Sequence, residues 1–199
     1  MADIVEKTRI FRNAPDARLM RDDPLAYLEY DHKAQRALAD LLETVADSLP
    51  DKVNQASAAL AASLLRDSVQ RRSALEEEAL FPLIEARADL NAPLRRAIML
   101  ARREYRDSTG RAIELAEELD ALAETGHTAN PDALGFMLRA FFDGLRRHLD
   151  WVDVVILSHV RESLSADDVA QLGARFVSLR SAAHLSEWGG LAVVRGAYA

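Results

Sequence analysis

Residues 71–87 read RRSALEEEALFPLIEAR. At steps of three and four, Arg72, Leu75, Ala79 and Pro82 fall on one line. Upstream that line continues through Ala58, Ala61, Leu65 and Ser68. A line of this period predicts one long amphipathic helix over about residues 52–86. Pro82 supplies no backbone donor, so it is expected to bend or narrow the end of that helix. Two features of the stretch resist a purely apolar reading. Arg72 stands in the middle of the seam, and Glu76 follows it at the i,i+4 spacing that lets two side chains meet.

Similar seams appear on either side. Asp22 and Asp23 precede Pro24, an acidic cap before a first-turn proline. The helix they open runs to Leu49, where Pro50 stops it, and its seam is Leu25, Leu28, His32, Gln35, Ala39, Leu42, Ala46 and Leu49. A third helix is capped by Asn91, carries Pro93 in its first turn and ends at Gly126. Its seam is Ile98, Ala101, Tyr105, Ser108, Ala112, Leu115, Leu119 and Leu122. Asn130-Pro131 opens a fourth, with Leu138, Phe141, Leu145, His148, Val152, Val155 and His159 in line. Ser165 with Asp168 three residues on reads as a variant capping box for a shorter fifth helix carrying Leu172, Phe176 and Leu179. Four long helices with short connections predict an all-α, up-down-up-down four-helix bundle with a short extra C-terminal helix. The expected organisation is an irregular N-terminal arm over 1–23, one bundle over 24–180 and a tail over 181–199 carrying Trp188 and Tyr198.

Composition narrows the function. Apolar residues make up 49% of the 199, enough for a core, and charges of both signs are interspersed along the chain. The net charge of −7 argues against nucleic acid as a partner, because phosphate binding needs a concentrated basic surface. The absence of cysteine removes disulfides, thiolate metal sites and thiol nucleophiles. No signal-like or membrane-length apolar run is visible, so a cytoplasmic location is expected.

The polar seam residues carry the functional signal. His32, Arg72 with Glu76, Tyr105 and His148 arrive one helix at a time, each near mid-helix. In an antiparallel bundle such positions share one height and converge on one interior layer. Buried polar groups are costly unless they pair or bind something, and histidines with a carboxylate inside a bundle are how such folds build iron or manganese sites.

With these residues placed, the chain resembles the bacterial hemerythrin-like, or HHE cation-binding, domain proteins. The stretch DPLAYLEYDHKAQRALADLLETVAD (23–47) is similar to the family's first helix, with His32 in the ligand position. Residues 71–87 are similar to its second, where a His-x-x-x-Glu pattern precedes Leu-Phe-Pro; Leu80-Phe81-Pro82 sets the register. LRRHLDWVDVVILSHVRESLS (145–165) is similar to its fourth. The resemblance implies a metal set of which His32, Glu76 and His148 are retained. It places Arg72 where a histidine is expected, Tyr105 at the third-helix histidine, and Val152 at the carboxylate four residues after His148. Some members use a five-residue offset, which makes Asp153 the counterpart, although that residue lies about 140° around an α-helix from His148. Gln35, Arg72 and Glu104 are the expected neighbours of such a site.

Two readings follow. In the first, His32, Glu76, Tyr105 and His148 hold one iron or a similar ion, and the chain binds or senses oxygen, nitric oxide or peroxide, or handles iron. In the second, the chain is a metal-free regulatory or protein-binding module in which Arg72 pairs with Glu76 in place of the metal. A third, an enzyme acting on an organic substrate, has no substrate signal behind it.

Overall fold

The computed structural model describes residues 9–12, 17–87 and 90–182. Two short helices, α1 (Arg9–Arg12) and α2 (Ala17–Asp22), lead into α3 (Pro24–Ser48). Helix α4 begins as Gln55–Arg72, widens into π-helix over Ser73–Leu80 and closes as Phe81–Glu85. Helix α5 spans Ala92–Thr125. Helix α6 begins as Pro131–Trp151, widens over Val152–Leu157 and ends as Ser158–Ser163; α7 is Ala166–Ala182. No strand occurs among the described residues.

Local chemistry sets the helix starts. The side chains of Asp23, Asn54, Asn91 and Asn130 each accept a backbone N–H three residues on, from Ala26, Ser57, Leu94 and Ala133. Each satisfies a donor the helix itself leaves open. Asn54, rather than Lys52, therefore starts α4. Gly126 ends α5 in the left-handed conformation (φ 77°), which glycine adopts without steric penalty. The predicted box at α7 is made: Asp168 Oδ2 accepts from the Ser165 backbone at 2.9 Å, and the Asp168 N–H donates to Ser165 Oγ at 3.2 Å.

Side-chain ladders mark the topology. Between α3 and α6, Arg161 meets Glu29, Arg36 meets Asp150 and Asp153, Arg146 meets Asp40 and Glu43, and Arg139 meets Asp47. Rising numbers on α3 pair with falling numbers on α6, so the two run antiparallel. Helices α4 and α5 do likewise, with Gln55 bonded to the Ala123 carbonyl, Arg66 to Asp120, Arg72 to Ser108, and Arg102 to Glu85. Exposed ion pairs contribute little stability, about 0–1 kcal/mol each, so here they report register more than they hold it.

The expected irregular arm is corrected by the structure. Phe11 and Met20 are buried, and α2 lies against α7 so closely that a Cβ on Gly173 would come 2.3 Å from the Arg21 carbonyl oxygen. Phe11 packs into the apolar cluster that holds Leu38 and Leu42, and Met20 into the one that holds Leu28 and Phe176, and this burial outweighs the segment's polar composition. Pro82 does not break α4. The widened turn precedes it, and the Glu78 carbonyl, four residues back, accepts from Arg175 Nε at 3.4 Å instead. Trp188 and Tyr198 lie outside the described residues, as does the rest of the tail beyond Ala182.

The core is split in two. One apolar cluster gathers Leu38, Leu42, Leu65, Leu115, Leu138 and their neighbours. The other gathers Leu28, Leu75, Phe81, Ile98, Ile156 and Phe176. Between them lies a belt of buried polar side chains contributed by α3, α4 and α6: Asp31, His32, Gln35, Ser68, Arg71, Arg72, Glu76 and His148.

Candidate metal centre

Glu76 sits at the middle of the belt, on the widened turn of α4, with 2% of its surface exposed. His32 of α3 places Nε2 3.2 Å from Glu76 Oε1, and His148 of α6 places Nε2 3.8 Å from Glu76 Oε2. The first is a hydrogen bond. The second is too long to be one, and His148 Nε2 is buried without a hydrogen-bond partner. Both imidazoles are oriented from behind. His32 Nδ1 lies 2.5 Å from Asp153 Oδ1, and His148 Nδ1 lies 2.9 Å from Glu104 Oε2.

Asp153 therefore turns inward, toward α3 rather than along the His148 line. The angular offset between the two residues is used, because α6 packs between two neighbours and presents one residue to each. Asp153 also lies on a widened turn, which relaxes the α-helical spacing. Arg36 completes this side, donating Nη2 to Asp153 Oδ2 at 2.8 Å and to Asp150 Oδ1 at 2.9 Å.

Electrostatics follow the contacts. Burial would push His32 down, but its bonds to Asp153 and Glu76 and their negative charges outweigh that and hold it at about 9. Burial would raise Glu76; the His148 and His32 imidazoles beside it hold it well below the usual carboxylate range. Asp153 is lowered too, since His32 and Arg36 outweigh its partial burial. At neutral pH the resting state is thus a Glu76 carboxylate and a His32 imidazolium bridging it to Asp153.

The remaining sequence-predicted residues are placed as follows. Glu104 stands behind His148, on its Nδ1. Arg72 does not pair with Glu76. Its Nη2 donates to Ser108 Oγ at 2.6 Å and its guanidinium stacks 4.8 Å from the Tyr105 ring centre. With Glu76 already facing two imidazoles, Arg72 turns to α5, where an aromatic face and a hydroxyl receive it. Tyr105 donates its hydroxyl to the Val69 carbonyl at 3.3 Å, not toward the imidazoles. Val152 is fully buried in the second apolar cluster. Gln35 belongs to a separate pair: it donates to Asp31 Oδ2 at 2.6 Å, while Arg71 Nε donates to Asp31 Oδ1 at 2.9 Å. Asp31 and Arg71 were missed because a single seam line skips their faces. In a ring of four helices each helix is buried on two sides, so the residues flanking a seam are buried as well.

A family description, the hemerythrin HHE cation-binding domain, matches residues 23–157, and the chain belongs to that family. Neither a search of curated proteins nor one of solved structures returns a match. No helix among the described residues is long and apolar enough to cross a membrane.

The family implies a bound cation, and His32, Glu76 and His148 are the side chains that would hold one. Two imidazole ε nitrogens and one carboxylate converge, and each imidazole has its other nitrogen tied to a carboxylate, which is how ligating histidines are held. The unpartnered His148 Nε2 is the observation that favours an ion here. By the resemblance, Arg72, Tyr105 and Val152 occupy the remaining ligand positions, and each is engaged away from Glu76. As the side chains rest, no three acidic, histidine or cysteine side chains among the described residues form a metal-ready group, and the proton-mediated His32–Glu76 contact gives a reason.

Proposed function

We propose that this chain is a cation-binding bundle reduced to a single ion, with His32, Glu76 and His148 holding one iron or similar divalent metal. The role that follows is binding or sensing of oxygen, nitric oxide or peroxide, or the handling of iron. The supporting observation is that two imidazoles address the two oxygens of one buried carboxylate while an outer carboxylate holds each Nδ1. A bound iron would supply redox chemistry and open coordination positions. The protein's own part is proton management and exclusion of water. Asp153 keeps a proton at His32 Nδ1, Glu104 keeps one at His148 Nδ1, and both ε nitrogens then face Glu76. His32 gives up its Nε2 proton to become a ligand, so metal uptake releases a proton and strengthens as pH rises. The apolar clusters above and below shield the layer from bulk water on those two sides.

The test is metal content. Chain purified without a chelating tag should hold, or take up from ferrous iron, about one metal per chain, with a proton released on binding. Protein that carries no iron, manganese or zinc and takes up no ferrous iron sinks the proposal.

A metal-free regulatory module is the second reading, favoured by the His32 imidazolium that already neutralises Glu76. The cation standing in for the metal is then His32, not Arg72. Protein contacts would pass to exposed apolar residues such as Phe136 and Val154.

A further inference from the structure

Arg72 is 95% buried and is a permanent cation, yet no carboxylate lies within 4.0 Å of it among the described residues. Its Nη2 is taken by Ser108, its face by Tyr105, and its Nε is buried with no hydrogen-bond partner. A buried charge without a counter-ion is costly, so the rest of this environment matters.

Arg72 forms the floor of a cavity of about 150 Å³ that opens between α5 and α6. Arg111 on α5 and Arg147 on α6 also line it, both exposed and neither in an ion pair among the described residues. Two carboxylates share the lining, and each has a cationic or donor partner. Glu104 accepts from His148 Nδ1 at 2.9 Å, and Asp107 lies 4.0 Å from Arg103. Three arginines without an ion pair among the described residues, Arg72, Arg111 and Arg147, thus line one space in a chain of net charge −7. Gly144 keeps the wall low: a Cβ there would meet only Arg147 Nη2, at 3.9 Å.

We propose that this cleft binds a small oxyanion, held between the buried Arg72 and the exposed Arg111 and Arg147. Guanidinium forks match paired oxygens, as in carboxylate and phosphate recognition. The volume is below the roughly 300–1,000 Å³ of sites for drug-sized ligands, which fits an ion and not a nucleotide. The site lies beside the Glu76 layer and does not require a metal.

Isothermal titration of the full chain after chelator treatment tests it, with sodium phosphate and sodium acetate as separate probes at matched ionic strength. Saturable binding of either is expected, and the stronger one tells a tetrahedral from a planar preference. Arg147→Gln, on the surface and harmless to the fold, should weaken binding about tenfold. Gly144→Leu should fill the cleft and abolish binding while keeping the helix, since leucine is the better helix former. Arg95→Gln, exposed and outside the cleft, should change nothing. The proposal is overturned if neither anion binds saturably to the chelated chain, or if binding is the same in wild type, Arg147→Gln and Gly144→Leu.

Discussion

The two sides of the polar belt solve the same problem differently. Toward α3, every charge has an opposite neighbour: His32 lies between Glu76 and Asp153, and Asp153 is shared with Arg36. Toward α5, His148 Nε2 and Arg72 Nε are buried with nothing to bond, and a cavity reaches both residues. The first side is closed and self-neutralised; the second is open and cationic. Gln35 Oε1 and Arg71 Nη1 also lack a hydrogen-bond partner, but Arg71 has the Asp31 carboxylate beside it. Arg72 and His148 instead line a cavity, and a buried cation facing a cavity without a counter-ion is where a ligand belongs.

Removing the shared carboxylate should break both sides at once. Glu76→Ala leaves two imidazoles without their common partner. It should abolish metal uptake and lower unfolding stability by about 3–5 kcal/mol, read by denaturant unfolding. A folded variant of unchanged stability would show that Glu76 is not the hub.

The closed side should make stability depend on pH in a definite direction. His32 is raised in the folded chain to about 9, against about 6.5 when unfolded. Its contribution is therefore fully present below about pH 6.5 and is lost as pH rises through 9. Chelator-treated protein should lose on the order of 3 kcal/mol across that window, and His32→Gln should flatten the profile. A flat wild-type curve would mean that His32 rests neutral.

A finer contrast comes from the outer carboxylates. Asp153→Asn and Glu104→Gln should each weaken ferrous iron binding by about 10–100-fold while leaving the ligands in place. Only Asp153→Asn should also reduce the pH dependence of stability, because only Asp153 contacts His32. Equal effects from both would erase the distinction between the sides. The smallest effect expected is at Arg72. Arg72→His removes the permanent cation and restores a donor, so iron uptake should improve by roughly tenfold or less, while phosphate or acetate binding falls. Unchanged uptake would count against the register drawn through Leu80-Phe81-Pro82.

Much of the fold was legible because local rules and the apolar period agreed. Asp23-Pro24, Asn91 with Pro93, and Asn130-Pro131 each state a helix start through a capping side chain and a proline. Phe11 and Met20 were not legible, because four- and six-residue helices are too short to show a period. At the site, His32, Glu76 and His148 were readable as single polar interruptions of apolar seams. Arg71 and Asp31 were not, because each sits beside a residue that already explained its turn.

The order of the long helices, most of their caps, and the levels at which polar residues enter the core are written in the chain, since each depends on spacing and on neighbours within four residues. The chain alone left open which way the long polar side chains turn once inside. That Asp153 backs His32, and that Arg72 abandons Glu76 for Ser108 and Tyr105, was decided by groups arriving from other helices. In a dry layer the energy of a charge depends on its partners across the bundle, and local sequence does not encode them.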